Sequence, residues 1–383
     1  MRKNTVSRII AAILFVAVMT TGLAGCNSNT SNDPPVSSNQ GNPITQSNPI
    51  AQSNMPLTSN PAPKASNPAP EQKNTSPIIV TWYPNESSNT HEDVRAEVGK
   101  LIERATGRKV DHRLTTDYTI AIEAIASGSA DVAMAMGAVG YIEAKNRNPQ
   151  VDVLFVNSDA NGKLDGAKYF SWLCVTAENA DAYKSGNTYS IDNIKGKKMS
   201  FVSNSSTSGF RVPTTSIISH FKSDDLNEDK LIEGGANMFF DDVYFGGSHQ
   251  GSAVNLLSGN VDVAAFCDIE LQSYIELKSG EENTVGAIYS VRTGADAPFN
   301  QYVGRDFLVI AATPVFNGPN AYNPKNLSEA EIKAIKDLFT SEEVANNEVL
   351  FYDASIEGAV GLYKKSSSYG YVLTSDSWYD PYR

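Results

Sequence analysis

Apolar and polar positions follow no folded rhythm over the first 77 residues. Ile9–Val18 is one unbroken apolar run behind the basic start Arg2, Lys3 and Arg8. Residues 27 to about 77 are dominated by Asn, Ser, Pro, Gln and Thr, without a single aromatic. From Ile78 onward the pattern changes. Ile78-Ile79-Val80-Thr81-Trp82 reads as a buried strand. Asp93 to Thr106 places Val94, Val98, Leu101 and Ile102 at helical spacing, and Gly107 ends that helix. Lys109 to Leu114 is the next strand. Asp117 is placed to cap a helix from Tyr118 to Ser127, Gly128 closes it, and Ala130 to Met136 is a further strand. This β-α-β-α-β run marks an α/β lobe with a mainly parallel sheet.

The pattern then returns. Ile125-Ala126-Ser127-Gly128-Ser129-Ala130-Asp131-Val132-Ala133 matches Leu256-Leu257-Ser258-Gly259-Asn260-Val261-Asp262-Val263-Ala264, 131 residues on. Each copy is a helix end, a glycine, an Asp and a buried strand. A single pair excludes a solenoid and suggests two similar lobes. Ser190 to Val202 gives a short helix, a turn and a strand, Phe307 to Ala312 is a strand, and Leu327 to Leu338 is a helix. Tyr363, Tyr369, Tyr371, Trp378, Tyr379 and Tyr382 give the C-terminal tail the means to pack down.

The amino-terminal pattern is a targeting signal. Ten apolar residues are too few to span a bilayer and fit a secretory signal. The run ends Leu23-Ala24-Gly25-Cys26, which resembles the bacterial lipobox and implies cleavage before Cys26 and a lipid on it. Residues 1–25 are then a signal peptide, and 26–77 a lipid-anchored disordered tether. Such a segment cannot bury enough apolar surface to offset its ordering entropy, and its root-mean-square reach is about 40 Å. Localisation on the outer face of the cytoplasmic membrane follows. Removing the three basic residues takes the net charge from -12 to -15. That balance argues against a nucleic-acid partner but leaves room for an anionic ligand, which backbone N–H groups can hold. Cys174 and Cys267 lie in apolar stretches, and export permits either a disulfide or two buried thiols.

Chemistry concentrates in two turns. Ser203-Asn204-Ser205-Ser206-Thr207-Ser208-Gly209-Phe210 follows a strand and precedes a helix through Ile217, Ile218 and Phe221. One hydroxyl suffices to cap a helix; four in a row can also surround a tetrahedral oxyanion at the helix start. Gly246-Gly247-Ser248-His249-Gln250-Gly251 opens a second helix, where His249 could donate to the same anion. No Walker lysine loop, HExxH or nucleophile elbow is present, and no Cys/His spacing suggests a metal; the reading requires no cofactor. Glu86 and His91, near the end of the first strand, offer an acid/base pair but are read as part of a polar loop.

These motifs, with Trp82-Tyr83-Pro84-Asn85-Glu86, Thr116-Asp117-Tyr118, Gly140-Tyr141 and Ile194-Lys195-Gly196-Lys197, come in the same order as in the phosphonate/phosphite/phosphate substrate-binding proteins of ABC transporters. The resemblance, from Ile78 to about residue 340, implies a two-lobed α/β fold like the type II periplasmic binding proteins, with a ligand cleft between lobes and an ABC permease as partner. It implies that Ser206, Thr207, Ser208 and His249 hold the oxyanion, with Tyr83 and Tyr141 lining the cleft. For a ligand amine it points to Asp296 and to the neighbourhood of Ile269, flanked by Asp268 and Glu270. Lobe 1 is then expected at 78–180 and 300–383 and lobe 2 at 181–299, joined by crossing strands near Tyr169–Val175 and Phe307–Ala312. A sulfonate or organic acid in the same fold, a surface sensor or adhesin, and a secreted hydrolase remain as rival readings.

Overall fold

Three strands of the amino-terminal half pair in parallel because each is followed by a helix that carries the chain back. In the computed structural model, which describes residues 74–86, 91–356, 359 and 361–383, Ile78–Trp82 lies between Val110–Leu114 and Val132–Met134. The helices Glu92–Thr106 and Tyr118–Ser127 make the connections. Their ends are as the sequence demands: Asp117 accepts from the Thr119 N–H at 2.6 Å, and Gly107 and Gly128 both adopt left-handed conformation. The sheet has six strands in the order Tyr371–Val372, Asp152–Asn157, Pro319–Tyr322, Val132–Met134, Ile78–Trp82, Val110–Leu114. Its last three are parallel; the strands from 152, 319 and 371 are antiparallel to their neighbours. The sheet is thus half parallel rather than mainly so.

A second sheet of seven strands repeats the plan. Lys198–Phe201 lies between Asp242–Phe245 and Val263–Cys267, all parallel. Lys168–Thr176, Asp306–Phe316, Ile288–Val291 and Ile275–Ser279 complete it in antiparallel fashion. The strands expected to cross between lobes, Lys168–Thr176 and Asp306–Phe316, pair with each other along their length within this sheet. The chain therefore passes between the sheets at residues 158–167 and 317–318. At the second passage Gly318 is so close to Met136 that a Cβ would lie 1.9 Å from its carbonyl oxygen.

Apolar cores cover both faces of each sheet. Trp82, Val98, Ile102, Phe155 and Phe339 fill one side of the first, and Tyr118, Ile122, Val153 and Tyr379 the other. Trp172, Phe266 and Phe307, and Phe201, Phe210 and Phe240, do the same for the second. The aromatic tail packs down, with Tyr363, Tyr371 and Tyr379 buried. Cys174 and Cys267 are free buried thiols, opposite Ala264 and Ser171 on neighbouring strands. The signal peptide, Cys26 and nearly all of the tether lie outside the described residues. The tether's last residues are pinned to the fold, where Arg108 donates to the Ser76 carbonyl at 2.8 Å. Among the described residues no helix is long and apolar enough to cross a membrane.

Candidate functional site

A cavity of about 50 Å³ lies where the carboxyl ends of both sets of parallel strands converge. It has room for a small anion.

The hydroxyl turn forms one wall. Strand Lys198–Phe201 delivers it, and helix Val212–Phe221 continues from it through the wide turn Thr207–Arg211. The Ser206 hydroxyl caps the helix by accepting from the Gly209 N–H at 3.0 Å. Gly209 is needed for packing: a Cβ there would stand 2.2 Å from Val202. Ser206, Thr207 and Ser208 are buried and line the cavity. Thr207 reaches furthest, since its Oγ1 accepts the Val139 N–H at 2.9 Å, from the start of helix Ala138–Arg147 behind the first sheet. The sequence reading identified Gly140 and Tyr141 but not this helix.

His249 comes from the second turn. Ser248 caps helix His249–Leu257 by accepting from Gly251 at 3.0 Å. The His249 Nδ1 accepts the Cys267 N–H at 3.1 Å, so the ring proton sits on Nε2. Burial lowers the His249 pKa to about 3, so the side chain is a neutral donor. An imidazolium, the other form that a pH effect would require, does not fit this geometry. Opposite, the Asn85 Oδ1 accepts both from the Tyr118 hydroxyl at 3.1 Å and from the His249 backbone N–H at 3.2 Å. It thereby joins the two halves. A further tie runs from the Ser205 hydroxyl to Glu143 at 3.2 Å.

The remaining expected residues divide. Tyr83 lines the cavity, its ring 4.3 Å from that of Tyr118, and its hydroxyl occupies space that any side chain at 140 would need. Tyr141 does not line it. It lies on the part of its helix that meets the tail, donating to Asp376 at 2.6 Å and packing on Tyr379. Asp268 does not line it either: its Oδ1 accepts the Phe170 N–H at 2.8 Å, which turns the carboxylate toward the neighbouring strand. Burial nevertheless raises the Asp268 pKa to about 7. Asp296 is exposed at the start of a 3-10 turn, outside the cavity.

Sequence reasoning missed Tyr118, Asn85 and Tyr169 as lining residues, and Glu270, which it gave only as a flank of Ile269. Tyr118 had been read only as a helix start. Its signal was position: it opens a helix at the carboxyl end of a parallel strand, where open α/β sheets bind ligands. Behind Glu270 sits Glu86, fully buried. Burial first, then the charge and a hydrogen bond of Glu270, push the Glu86 carboxyl well above its usual range. Its oxygens make no well-aligned bond among the described residues, and Glu270 is the nearest approach to one. Burial, and next the charge of Asp268, raise the Glu270 pKa to about 7. Among the described residues no Lys or Arg lines the cavity, and no group of three or more His, Cys, Asp or Glu side chains is placed to hold a metal ion.

The site can therefore hold a small anion with neutral donors, as helix starts and hydroxyls do elsewhere. The comparisons agree with that frame. Over 209 residues the chain is 24% identical to the phosphate-import protein PhnD of Mycolicibacterium smegmatis, a match covering 53% of this chain and 60% of that protein. Its fold is similar to a binding protein component of an ABC phosphonate transporter from Pseudomonas aeruginosa (TM-score 0.56, 18% identity, 81% of this chain and 85% of that one). It is likewise similar to PhnD1 from Prochlorococcus marinus, solved with methylphosphonate (TM-score 0.57, 15% identity, 81% and 96%). The profile of the ABC-transporter phosphonate periplasmic substrate-binding proteins matches residues 80–379, and the chain belongs to that family.

Proposed function

We propose that this protein captures a small phosphonate, phosphite or phosphate-like oxyanion outside the cytoplasm and hands it to the permease of an ABC importer. The observation that carries this reading is the convergence of neutral donors from both halves on one anion-sized cavity. Ser206, Thr207, Ser208 and His249 come from the second half; the backbone of Met136-Gly137, which leads into helix Ala138–Arg147, comes from the first. A ligand touching both halves favours their closed arrangement over an open one by its differential affinity, which is what a carrier needs.

The two sheets serve as the lobes in this proposal, residues 78–157 with the chain after 318 as one and 168–316 as the other. The passages at 158–167 and 317–318 serve as the hinge. Tyr83 lines the cleft. Tyr141, Asp268 and Asp296 are proposed to act through the fold rather than on the ligand. A lipid on Cys26 and the tether of residues 26–77 would keep the head near the membrane. Support comes from family membership and from the solved relative that holds methylphosphonate.

Thermal shift followed by calorimetry with phosphate, phosphite, methylphosphonate, sulfate and an organic acid tests the ligand class. Phosphorus oxyanions are expected to raise the melting midpoint with ligand concentration. Absence of any shift sinks the carrier reading, and a shift confined to sulfate or organic acids moves it to another ligand. Mass spectrometry of the exported protein tests the anchor: an unmodified Cys26 refutes it.

A further inference from the structure

An anion-sized cavity with a carboxyl in its wall and no cation poses a physical problem. Glu270 lines the space that the hydroxyl turn and His249 also line. Glu86 stands behind it, wholly removed from water, with the Arg95 side chain donating to its backbone carbonyl. The Arg95 charge also acts on Glu86 and opposes the rise that burial causes, but the groups facing Glu270 are acids: Asp268 beside it, and the phenols of Tyr83, Tyr118 and Tyr363, all raised by burial. His249 is neutral and Cys267 is a buried thiol with its proton held on. A fully ionised oxyanion would meet the Glu270 carboxylate at close range in a medium that screens poorly. The contact is favourable only if a proton lies between them.

The place of Glu270 in the wall also matters. An oxyanion set against the hydroxyl turn and His249 shares one cavity with Glu270, which can there meet an oxygen of the anion itself. Hydroxyls of Ser and Thr can donate or accept, so they do not distinguish a protonated from an ionised oxygen. A carboxylate accepts only.

We infer that Glu270, backed by Glu86, is a specificity-determining residue that accepts a hydrogen bond from a protonated oxygen of the ligand, so that the site takes up a monoprotonated phosphorus oxyanion and turns away sulfate and sulfonates. This rests on the oxyanion-capture reading above. The chemistry separates the two classes: phosphate-type groups keep an ionisable O–H with a pKa of about 6, whereas sulfate and sulfonates have none near neutral pH. Glu86 supplies the pair's own proton, so Glu270 can remain an acceptor without a second bare carboxylate beside it.

The test is calorimetric titration of the full protein with phosphite, methylphosphonate, sulfate and methanesulfonate at pH 6.5 and 8.5, in buffers of different ionisation enthalpy. Wild type is expected to bind phosphite at least about 100-fold more tightly than sulfate, and to take up nearly one proton per phosphite at pH 8.5. Glu270→Gln, which can donate as well as accept, is expected to narrow the phosphite-to-sulfate ratio at least about tenfold and to remove most of the proton uptake. An unchanged ratio in Glu270→Gln overturns the inference, as does equal binding of phosphite and sulfate by wild type. If Glu270→Gln does not fold, wild-type proton uptake decides alone, and none at pH 8.5 overturns it. Aminomethylphosphonate is the remaining arm: if it binds more tightly than methylphosphonate and only that preference is lost in Glu270→Gln, the carboxyl reads an amine and the inference is wrong. Wild type that binds no phosphorus oxyanion overturns the capture reading as well, so the two failures are distinguishable.

Discussion

The two parallel cores, 78–134 and 198–267, solve the same folding problem with the same parts and then do different work. In the first, the Asp131 Oδ2 accepts the Ile79 N–H at 2.8 Å while the Asp131 N–H donates to the Ile79 carbonyl. In the second, the Asp262 Oδ2 accepts the Lys198 N–H at 2.9 Å, and its N–H donates to the Lys198 carbonyl. Each Asp thus clamps the start of the neighbouring parallel strand just after a left-handed glycine, Gly128 or Gly259. In both cores the first strand lies in the middle, with the second on one side and the third on the other. Past the third strand they part. Ala135-Met136-Gly137 brings backbone and a helix start to the cavity; Ile269-Glu270 brings an acid. A repeated scaffold constrains the strands, and chemistry is free to differ only at their carboxyl ends.

If the hydroxyl turn belongs to chemistry rather than scaffold, Thr207→Val gives the largest effect. It keeps the shape and removes the hydroxyl that lines the cavity and accepts the Val139 N–H. Affinity for the best phosphorus oxyanion should fall about 10- to 150-fold, roughly 1.5–3 kcal/mol, and the free protein should lose about 1–2 kcal/mol of stability as the buried Val139 N–H goes unpaired. Calorimetry reads the first and chemical denaturation the second; undiminished affinity would reduce the turn to a helix cap.

The clamps differ in burial and should differ in worth. Asp131 is 2% exposed and also accepts from Asn326 at 2.9 Å, whereas Asp262 is partly open to solvent. Asp131→Ala should cost about 2–3 kcal/mol of stability and Asp262→Ala about 1 kcal/mol. Equal losses in urea melts would mean that the repeat is not limited by these bonds.

A third contrast is electrostatic. Asp268 and Glu270 after the second core, with Glu86 from the first, hold raised pKa values, so between about pH 4.5 and 7 the native state binds more protons than the unfolded one. Stability is then greatest at the acid end of that window and falls as pH rises through it. Glu270→Gln should flatten part of this slope, leaving the share of Asp268 and Glu86; a midpoint that rises with pH over the window would refute the assignment. The smallest effect is expected at His249. With its pKa near 3 it stays neutral, so the affinity ratio of wild type to His249→Gln should be constant from pH 5.5 to 8. A ratio that grows as pH falls would restore the imidazolium.

Local signals were legible wherever the physics is local. Alternating and helical apolar spacing located the strand Ile78–Trp82 and the helices Glu92–Thr106 and Tyr118–Ser127, because burial of one face is decided within a few turns of chain. The Asp117 cap and the glycine stops depend on neighbours two or three residues away. The paired Asp motif revealed the doubled core before any coordinate did. Helix Ala138–Arg147 was not legible: its charged and small residues give a weak apolar face, and contact with the tail and Tyr83 stabilises it.

The chain by itself determined the targeting signature, the doubled α/β plan and the hydroxyl turn, all written in contiguous residues. Only the tertiary structure decided which side chains meet. Tyr141 and Tyr118 look alike in sequence, yet one anchors the tail through Asp376 and the other reaches Asn85 at the cavity. Glu86 and Glu270 stand 184 positions apart in the numbering and face each other because each follows the carboxyl end of a strand in a different sheet. No local pattern encodes that meeting, since it depends on how two independently specified sheets are set against one another.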